Sequence, residues 1–365
     1  MDEPSPETST DAPEQRRLRR IASAPIVGLF VLAIMYTLYL GRPIFVPLAL
    51  AILLSLLLYP IVSLLHRRFR VPNAAGAGLV VGVLLAVFAL AAIRLGAPAS
   101  EWMERLPEAM HEAEWKIRKL KEPIDRVQEA TEQIEDMAGG EKSPGEAPVV
   151  RVQETSYMQI VMNQTWWIVG GAALTIALLY FLLASGDLFM RKLVKELPTM
   201  DHKREAVAII DEIRHDISTY ILTITAINAG LGVATGTAMY LLGMPNSVLW
   251  GLMAMLLNYI PYAGAIVGTI VVGLIALITQ DNSTKVFLVM GAYYALTLIE
   301  GTFMTPMILG KRLLLNPVAV FISLLLWGWM WGIVGALIAV PLMAAFKIVC
   351  DHVPPLRSVG VLLGR

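Results

Sequence analysis

The sequence predicts an all-α, polytopic integral membrane protein with about eight membrane segments, and three observations predict it. Hydrophobic residues make up 56% of the 365-residue chain and charged residues only 16%, against roughly a quarter charged in ordinary soluble domains. The mean hydropathy is +0.65, so lipid must cover much of the surface. The apolar residues are gathered into runs of about 20, the length of a helix crossing ~30 Å of hydrocarbon.

Taken in order, residues 1–20 are a polar, Pro/Ser/Thr-rich tail of disordered composition that ends in Arg16-Arg17-Leu18-Arg19-Arg20. A basic flank before an apolar run, with no small-residue cleavage site, reads as the cytoplasmic edge of a first membrane helix and not as a secretory signal. Simple membrane runs follow at 24–41, 44–65, 74–96, 165–184 and 218–242. A sixth, 285–309, fits apart from Glu300. The segments 247–280 and 316–349 are too long. Each has roughly 34 residues, or ~50 Å as one straight helix. Each also carries breakers near its middle: Asn258-Tyr259-Ile260-Pro261-Tyr262-Ala263-Gly264 in the first, and Trp327-Gly328-Trp329-Met330-Trp331-Gly332-Ile333-Val334-Gly335 in the second. Each is either a kinked crossing or a helical hairpin that enters and leaves on one side.

Charge counting favours hairpins. Lys and Arg in short loops stay in the cytoplasm, which places Arg67/Arg68/Arg70 and the basic set from Arg191 to Arg214 inside. With two hairpins, Lys311-Arg312 also fall inside; with two crossings they fall outside, against the rule. Both arrangements put both termini in the cytoplasm. A crossing plus a hairpin, repeated in the opposite orientation, is the hydropathy pattern of secondary transporters, whose broken helices mark the solute site.

The partition is then a cytoplasmic tail (1–20), N-terminal membrane helices (21–97), an extracytoplasmic helical segment (98–164), a membrane helix with a cytoplasmic amphipathic link (165–217), a unit bearing both broken segments (218–349) and a cytoplasmic tail (350–365). The outer segment is acidic, with 14 Asp/Glu against 8 Lys/Arg. Leu106, Met110, Ala113, Ile117, Leu120, Ile124, Val127, Thr131 and Ile134 recur there at spacings of 4 and 3, a heptad stripe. Pro107 and Pro123 predict a kinked or restarted helix. The stripe packs on its own neighbour or between subunits. In the link, Ala206, Ile210, Ile213 and Ile217 share a face suited to packing on the membrane surface.

Several function classes are excluded. The formal net charge is zero, which removes any bulk electrostatic case for nucleic acid. Cys350 is the one cysteine, and the five histidines are dispersed, so neither a disulfide nor a metal set is predicted. Gly76-Ala77-Gly78 sits inside an apolar helix and is not a phosphate loop. No HExxH or GxSxG motif occurs. No cofactor, and no enzyme, is expected.

Glu300 is the most informative residue. A carboxylate at membrane depth costs several kcal/mol unless it is paired, hydrated or protonated. It is either a proton or cation coupling group and solute contact, or a buried structural carboxylate. Thr297, Thr302 and Thr305 can add oxygens, and Pro306 frees a backbone carbonyl about a turn earlier. Candidate site residues are Glu300, Asn258, Tyr259, Pro261, Gly264, Thr305, Pro306, Asn316, Gly332 and Gly335. Asn228, Thr223, Thr225, Thr235 and Thr237, with Gly230, Gly232 and Gly236, read as interhelical hydrogen bonds and close helix packing.

Phe45-Val46-Pro47-Leu48-Ala49-Leu50-Ala51 with Tyr59-Pro60-Ile61-Val62 resembles the N-terminal signature of the autoinducer-two exporter family of bacterial membrane proteins. Leu257 to Gly264 resembles it too, as do Glu300, Pro306-Met307-Ile308-Leu309-Gly310-Lys311, Asn316-Pro317, Trp331-Gly332-Ile333-Val334-Gly335 and Ala339-Val340-Pro341-Leu342. The resemblance covers nearly the whole chain from about residue 20. It implies a secondary transporter of the bacterial inner membrane that exports a small solute, with some members linked to sodium or lithium exchange for protons. It also implies a homo-oligomer, a pentamer, and an elevator-like movement of the unit with the broken segments. The expected partners are a small-molecule solute, H+ or Na+, and the lipid bilayer. The reading from another class is a non-transporting membrane scaffold whose outer segment binds a partner.

Overall fold

The computed structural model describes residues 25, 28–136, 157–186, 200–280, 282–309 and 315–364. Among these, regular structure is helical, with one isolated bridge between Leu315 and Gly364. The helices are α1 (Gly28–Leu40), α2 (Arg42–Phe69), α3 (Asn73–Asp136), α4 (Tyr157–Ser185), α5 (Met200–Leu241), α6 (Ser247–Leu257), α7 (Ala263–Thr279) and α8 (Ser283–Ile299). A π-helical turn, Glu300–Met304, leads into α9 (Thr305–Leu309), followed by α10 (Pro317–His352) and α11 (Arg357–Leu363).

Five stretches among the described residues are long and apolar enough to cross a membrane: Arg42–Phe69, Asn73–Arg105, Val207–Leu241, Ser283–Leu309 and Pro317–His352. Gly28–Leu40, Val169–Ser185, Ser247–Leu257 and Ala263–Thr279 are shorter apolar helices. Large apolar side chains such as Leu32, Phe88, Val233 and Ile333 project from the bundle, exposed. An apolar surface this continuous calls for lipid as its solvent, and helices suit lipid because they satisfy their backbone polar groups internally.

Two boundaries differ from the sequence expectation. The helical backbone of α3 runs through Pro107 and Pro123 without a break. Of the heptad stripe, Met110 is exposed, while the side chains of Leu106, Ile117, Leu120, Ile124 and Val127 lie outside the described set. From Met200 onward, the link and the fifth membrane run are one helix, α5. Its Ile217 is buried, and Ile213 packs with it against α2 and α10. A protein core, not the membrane surface, therefore takes those two residues.

Both long segments are broken and fold back. At the end of the first, the Thr279 hydroxyl lies 3.8 Å from the Met244 sulfur and Gln280 Nε2 donates to the Gly243 carbonyl at 3.3 Å. The two ends of α6–α7 therefore meet. In the second, Gly332 adopts φ 67°, ψ −145°, which splits α10 into two arms. Ser323 Oγ donates across them to the Ala339 carbonyl at 3.1 Å. The base of the first pair adjoins the C-terminal end of α5. That of the second adjoins its N-terminal half, where His352 Nε2 lies 3.6 Å from Glu212 and 3.7 Å from Asp216.

Three buried clusters hold the bundle. One joins α2, α3 and α4 through Ala51, Leu58, Val62, Ala77, Val81 and Leu179. A second joins α3, α5, α6, α7 and α8 around Met239, Trp250, Val272 and Tyr293. The third joins α1, α2, α5 and α10 around Tyr220, Met330, Trp331 and Ile348.

At the base of the second pair, Lys347 is 9% exposed and pairs with Asp351 at 2.5 Å, whose side chain is 38% exposed. Removing the acid strands a buried ammonium, whereas removing the lysine leaves a carboxylate that water can reach. Asp351→Ala is therefore expected to destabilise by about 3 kcal/mol and Lys347→Met by distinctly less. Thermal unfolding of both variants in one detergent checks the order.

Candidate functional site

The break between α6 and α7 begins where helix ends at Leu257 and reverses through Tyr262, whose φ is 61°. A Cβ on Gly264 would overlap the Leu257 carbonyl oxygen, so glycine is what lets the tip close. That turn projects Asn258 and Tyr259 toward α5. On the opposite wall, Pro306 supplies no N–H to the turn before it. The chain answers with the π turn, in which Thr305 N–H bonds to the Glu300 carbonyl. Such bulges recur at functional sites, and this one turns the Glu300 carboxyl inward, to 7% exposure.

The two walls meet at Glu300. Its Oε1 accepts from the Thr305 hydroxyl, and its Oε2 accepts from Asn258 Nδ2 at 3.0 Å. The same Asn258 nitrogen donates to Oδ1 of Asn228 on α5 at 2.8 Å. Thr225 and the Tyr259 phenol share a hydrogen bond of 2.8 Å. Asn228 is fully buried, and its Nδ2 finds no acceptor in hydrogen-bond geometry, with the Tyr259 phenol close by. Four elements are thereby tied by polar side chains: α5, the α6–α7 tip, the π turn and α9.

Beside this network lies a cleft of about 490 Å³. Asn258, Tyr259, Pro261, Glu300, Thr305 and Pro306 line it, together with Thr297 and Thr302. Gly264, Asn316, Gly332 and Gly335 are not among its lining residues. Asn316 instead caps α10, its Oδ1 accepting from Val318 N–H at 3.0 Å. Gly332 and Gly335 serve the reversal of α10, where a Cβ on Gly335 would overlap the Trp327 carbonyl oxygen. That reversal packs on α1, with Trp331 Nε1 donating to the Leu38 carbonyl at 3.1 Å and Trp329 stacked on Tyr39. The part of α10 that reaches the cleft is Val340-Pro341, joined by Pro317 and Val320.

Tyr220, Ile224 and Tyr294 also line the cleft and carried no local sequence signal. Pro341 did, as a helix breaker, and Asn228 did, as an amide in an apolar helix. Lys311 and Arg312 lie outside the described residues. A carboxyl flanked by hydroxyls, amides and loosened backbone can exchange a proton, hold a small hard cation or hydrogen-bond a polar solute.

If the amide pair locks the tip to α5, Asn228 and Asn258 are energetically coupled. A double-mutant cycle with alanine should return about 0.5–1.5 kcal/mol, the range for polar contacts between membrane helices. Unfolding midpoints of the four proteins give the number, and additive effects would dismiss the lock.

Comparison with known proteins agrees with this architecture. The chain is 26% identical over 344 residues to "AI-2 transport protein TqsA" of Escherichia coli (strain K12), covering 93% of this chain and 94% of that one. It is 26% identical over 341 residues to "Putative transport protein YhhT" of the same organism, covering 92% of each. With a protein of Borreliella burgdorferi that is also named for transport, it shares 24% over 347 residues, 94% of this chain and 91% of that one. The family model described as AI-2E family transporter matches residues 29–354, and the chain belongs to that family of membrane transport proteins.

Proposed function

We propose that this protein is a secondary active transporter that exports a small polar solute, with Glu300 as its coupling group. The observation that carries the reading is the nearly buried Glu300 carboxyl. It is held by Asn258 and Thr305 at the junction of a broken helix pair, a π turn and α5, beside a cleft within a lipid-facing bundle. An ionisable group kept at such depth is costly, and a transport cycle supplies the reason to keep it. The similarity to an AI-2 transport protein makes autoinducer-two the first solute to try.

In this reading the two folded-back pairs are re-entrant hairpins of an inverted repeat. The unit 218–349 moves elevator-fashion against a scaffold of 21–97, and the heptad stripe of Leu106, Met110, Ile117, Leu120, Ile124 and Val127 joins subunits of a homo-oligomer, a pentamer in the fullest form of the proposal. Both termini face the cytoplasm of a bacterial inner membrane. A second reading, Na+(Li+)/H+ antiport on the same scaffold, is favoured by the donor set around Glu300, one carboxyl with the hydroxyls of Thr297, Thr302 and Thr305.

The test is flux in proteoliposomes loaded with autoinducer-two, under a pH gradient and then a sodium gradient. Gradient-driven efflux supports the exporter. Proton movement on adding sodium without solute efflux supports the antiporter. Movement of neither supports the non-transporting scaffold and overturns the proposal. Topology has its own check: with Cys350→Ser, an Arg312→Cys variant labels only from the cytoplasm, and labelling from outside removes the hairpins.

A further inference from the structure

Where α10 ends, the chain turns back on it. Pro354-Pro355 supply no N–H to continue the helix, and Val353 before them is extended at φ −99°, ψ 109°. A 3-10 turn, Pro354–Leu356, has the Leu356 N–H on the Val353 carbonyl at 2.9 Å and leads into α11. Two glycines set the course from there. A Cβ on Gly360 would overlap the Asp351 carboxylate, and one on Gly364 would press on the Lys347 stem. Four residues onward in the returning chain match four residues back in α10. The segment therefore lies antiparallel along the last turns of the second arm, over the Lys347–Asp351 pair.

The returning chain also reaches the first arm. The Leu363 carbonyl accepts from the Asn316 N–H at 2.9 Å, and Leu315 and Gly364 form an antiparallel bridge pair. Asn316 caps α10, so the same residue begins the helix and takes the tie. Leu315 packs against the cluster that holds Ala344 and Ile348. Leu315, Pro317 and Val320 line the Glu300 cleft. The start of the first arm is thus held down, and with it one wall of the cleft. The tie is light: among the described residues, one backbone hydrogen bond joins the returning chain to the start of α10, and Val361 and Leu362 are exposed. Segments with so few buried contacts open locally while the rest of the fold stays closed.

We propose that residues 353–364 are a strap that closes the α10 wall of the Glu300 cleft and lets go for solute to pass. The release step rests on the transport reading above; the closure does not.

Two experiments on the full-length protein with Cys350→Ser test it. The bridge pair is of the kind whose partners exchange no hydrogen bonds with each other, and such pairs bring Cα atoms to about 4.5 Å, within reach of a disulfide. Gly364 is extended at φ −81°, ψ 170°, so a side chain fits there. Leu315→Cys with Gly364→Cys, oxidised in proteoliposomes, is expected to stop autoinducer-two flux, and reduction should restore it. In the second experiment Val320→Cys reports on the cleft wall through its labelling rate with a water-soluble maleimide. Removing 357–365, or Gly360→Ala, should speed labelling roughly fivefold, the worth of one net hydrogen bond. Val361→Ala, on an exposed side chain, should not. If the shortened chain fails to fold, Gly360→Ala carries the same readout. Equal flux before and after oxidation, or labelling that neither variant changes, would overturn the strap while leaving the transport reading in place. Faster labelling in a protein that moves no solute in any form would support the closure and count against transport.

Discussion

Glu300→Gln is expected to abolish gradient-driven flux while leaving the purified protein folded, with a melting temperature within a few degrees of the native one. The amide keeps the volume of the carboxyl, so no cavity opens. Its oxygen can still accept from Thr305, which now holds Oε1. Its nitrogen would face Asn258 Nδ2, donor against donor, where a carboxylate oxygen now accepts. Asn258 resolves the clash by turning its amide over and presenting Oδ1. Asn228, whose Oδ1 now faces the Asn258 amide, turns over with it, and its Nδ2, the buried donor without a partner in the native network, then donates to that oxygen. Two hydrogen bonds are exchanged for two others, and a buried ionisable group disappears, so the net change in stability stays within about 1 kcal/mol.

Glu300→Ala behaves differently. It opens a cavity, leaves the Thr305 hydroxyl unpaired and removes the bridge between the π turn and the α6–α7 tip, at a cost of about 2–4 kcal/mol. Comparing the pair separates the two meanings of a buried carboxyl. If Glu300→Gln unfolds as readily as Glu300→Ala, the group is structural. If Glu300→Gln is stable and still drives flux, the coupling role is lost. Only a stable, inactive Gln variant fits the proposal.

This network shows what a one-dimensional reading can and cannot reach. Asn258 and Glu300 stand out as polar residues in apolar surroundings, next to Pro261 and Pro306, and that chemistry is local. Their meeting across 42 positions depends on how far the α6–α7 pair folds back along α5, a packing outcome. The same limit explains the second break. Trp327 to Gly335 announces an interruption of α10, but an interruption does not say which face it serves. Here a Cβ-free approach of Gly335 to Trp327 closes the reversal against α1, and the cleft is reached by Pro341. In α3, two prolines suggested a kinked or restarted helix, and the helix does not restart at either. Tyr220 and Ile224 gave no signal, since an aromatic and an aliphatic residue on a membrane helix are ordinary until the neighbour they face is known.

The two reversals share a device, and it yields the other large effect. In each, a glycine in the second arm lies against a carbonyl oxygen at the end of the first: Gly264 against Leu257, and Gly335 against Trp327. In each, one residue between them takes positive φ, Tyr262 at 61° and Gly332 at 67°. Gly264→Ala must therefore push its methyl into backbone, where no side-chain rotamer can yield. The tip has to open, and Asn258 and Tyr259, four and three residues from Tyr262, move with it. The expected cost is about 3 kcal/mol, the upper end for an overpacked site. Flux should fall with it, because Asn258 would no longer reach Glu300 and Asn228. Gly291→Ala is the control: it lies on α8 with nothing within 4 Å of its Cβ position, and alanine there should add about 0.5–1 kcal/mol by helix propensity. The measurements are unfolding temperature and flux for both variants. A Gly264→Ala protein as stable and active as the native one would mean that the tip has slack, and that Asn258 is not held on Glu300 by the closure of the turn.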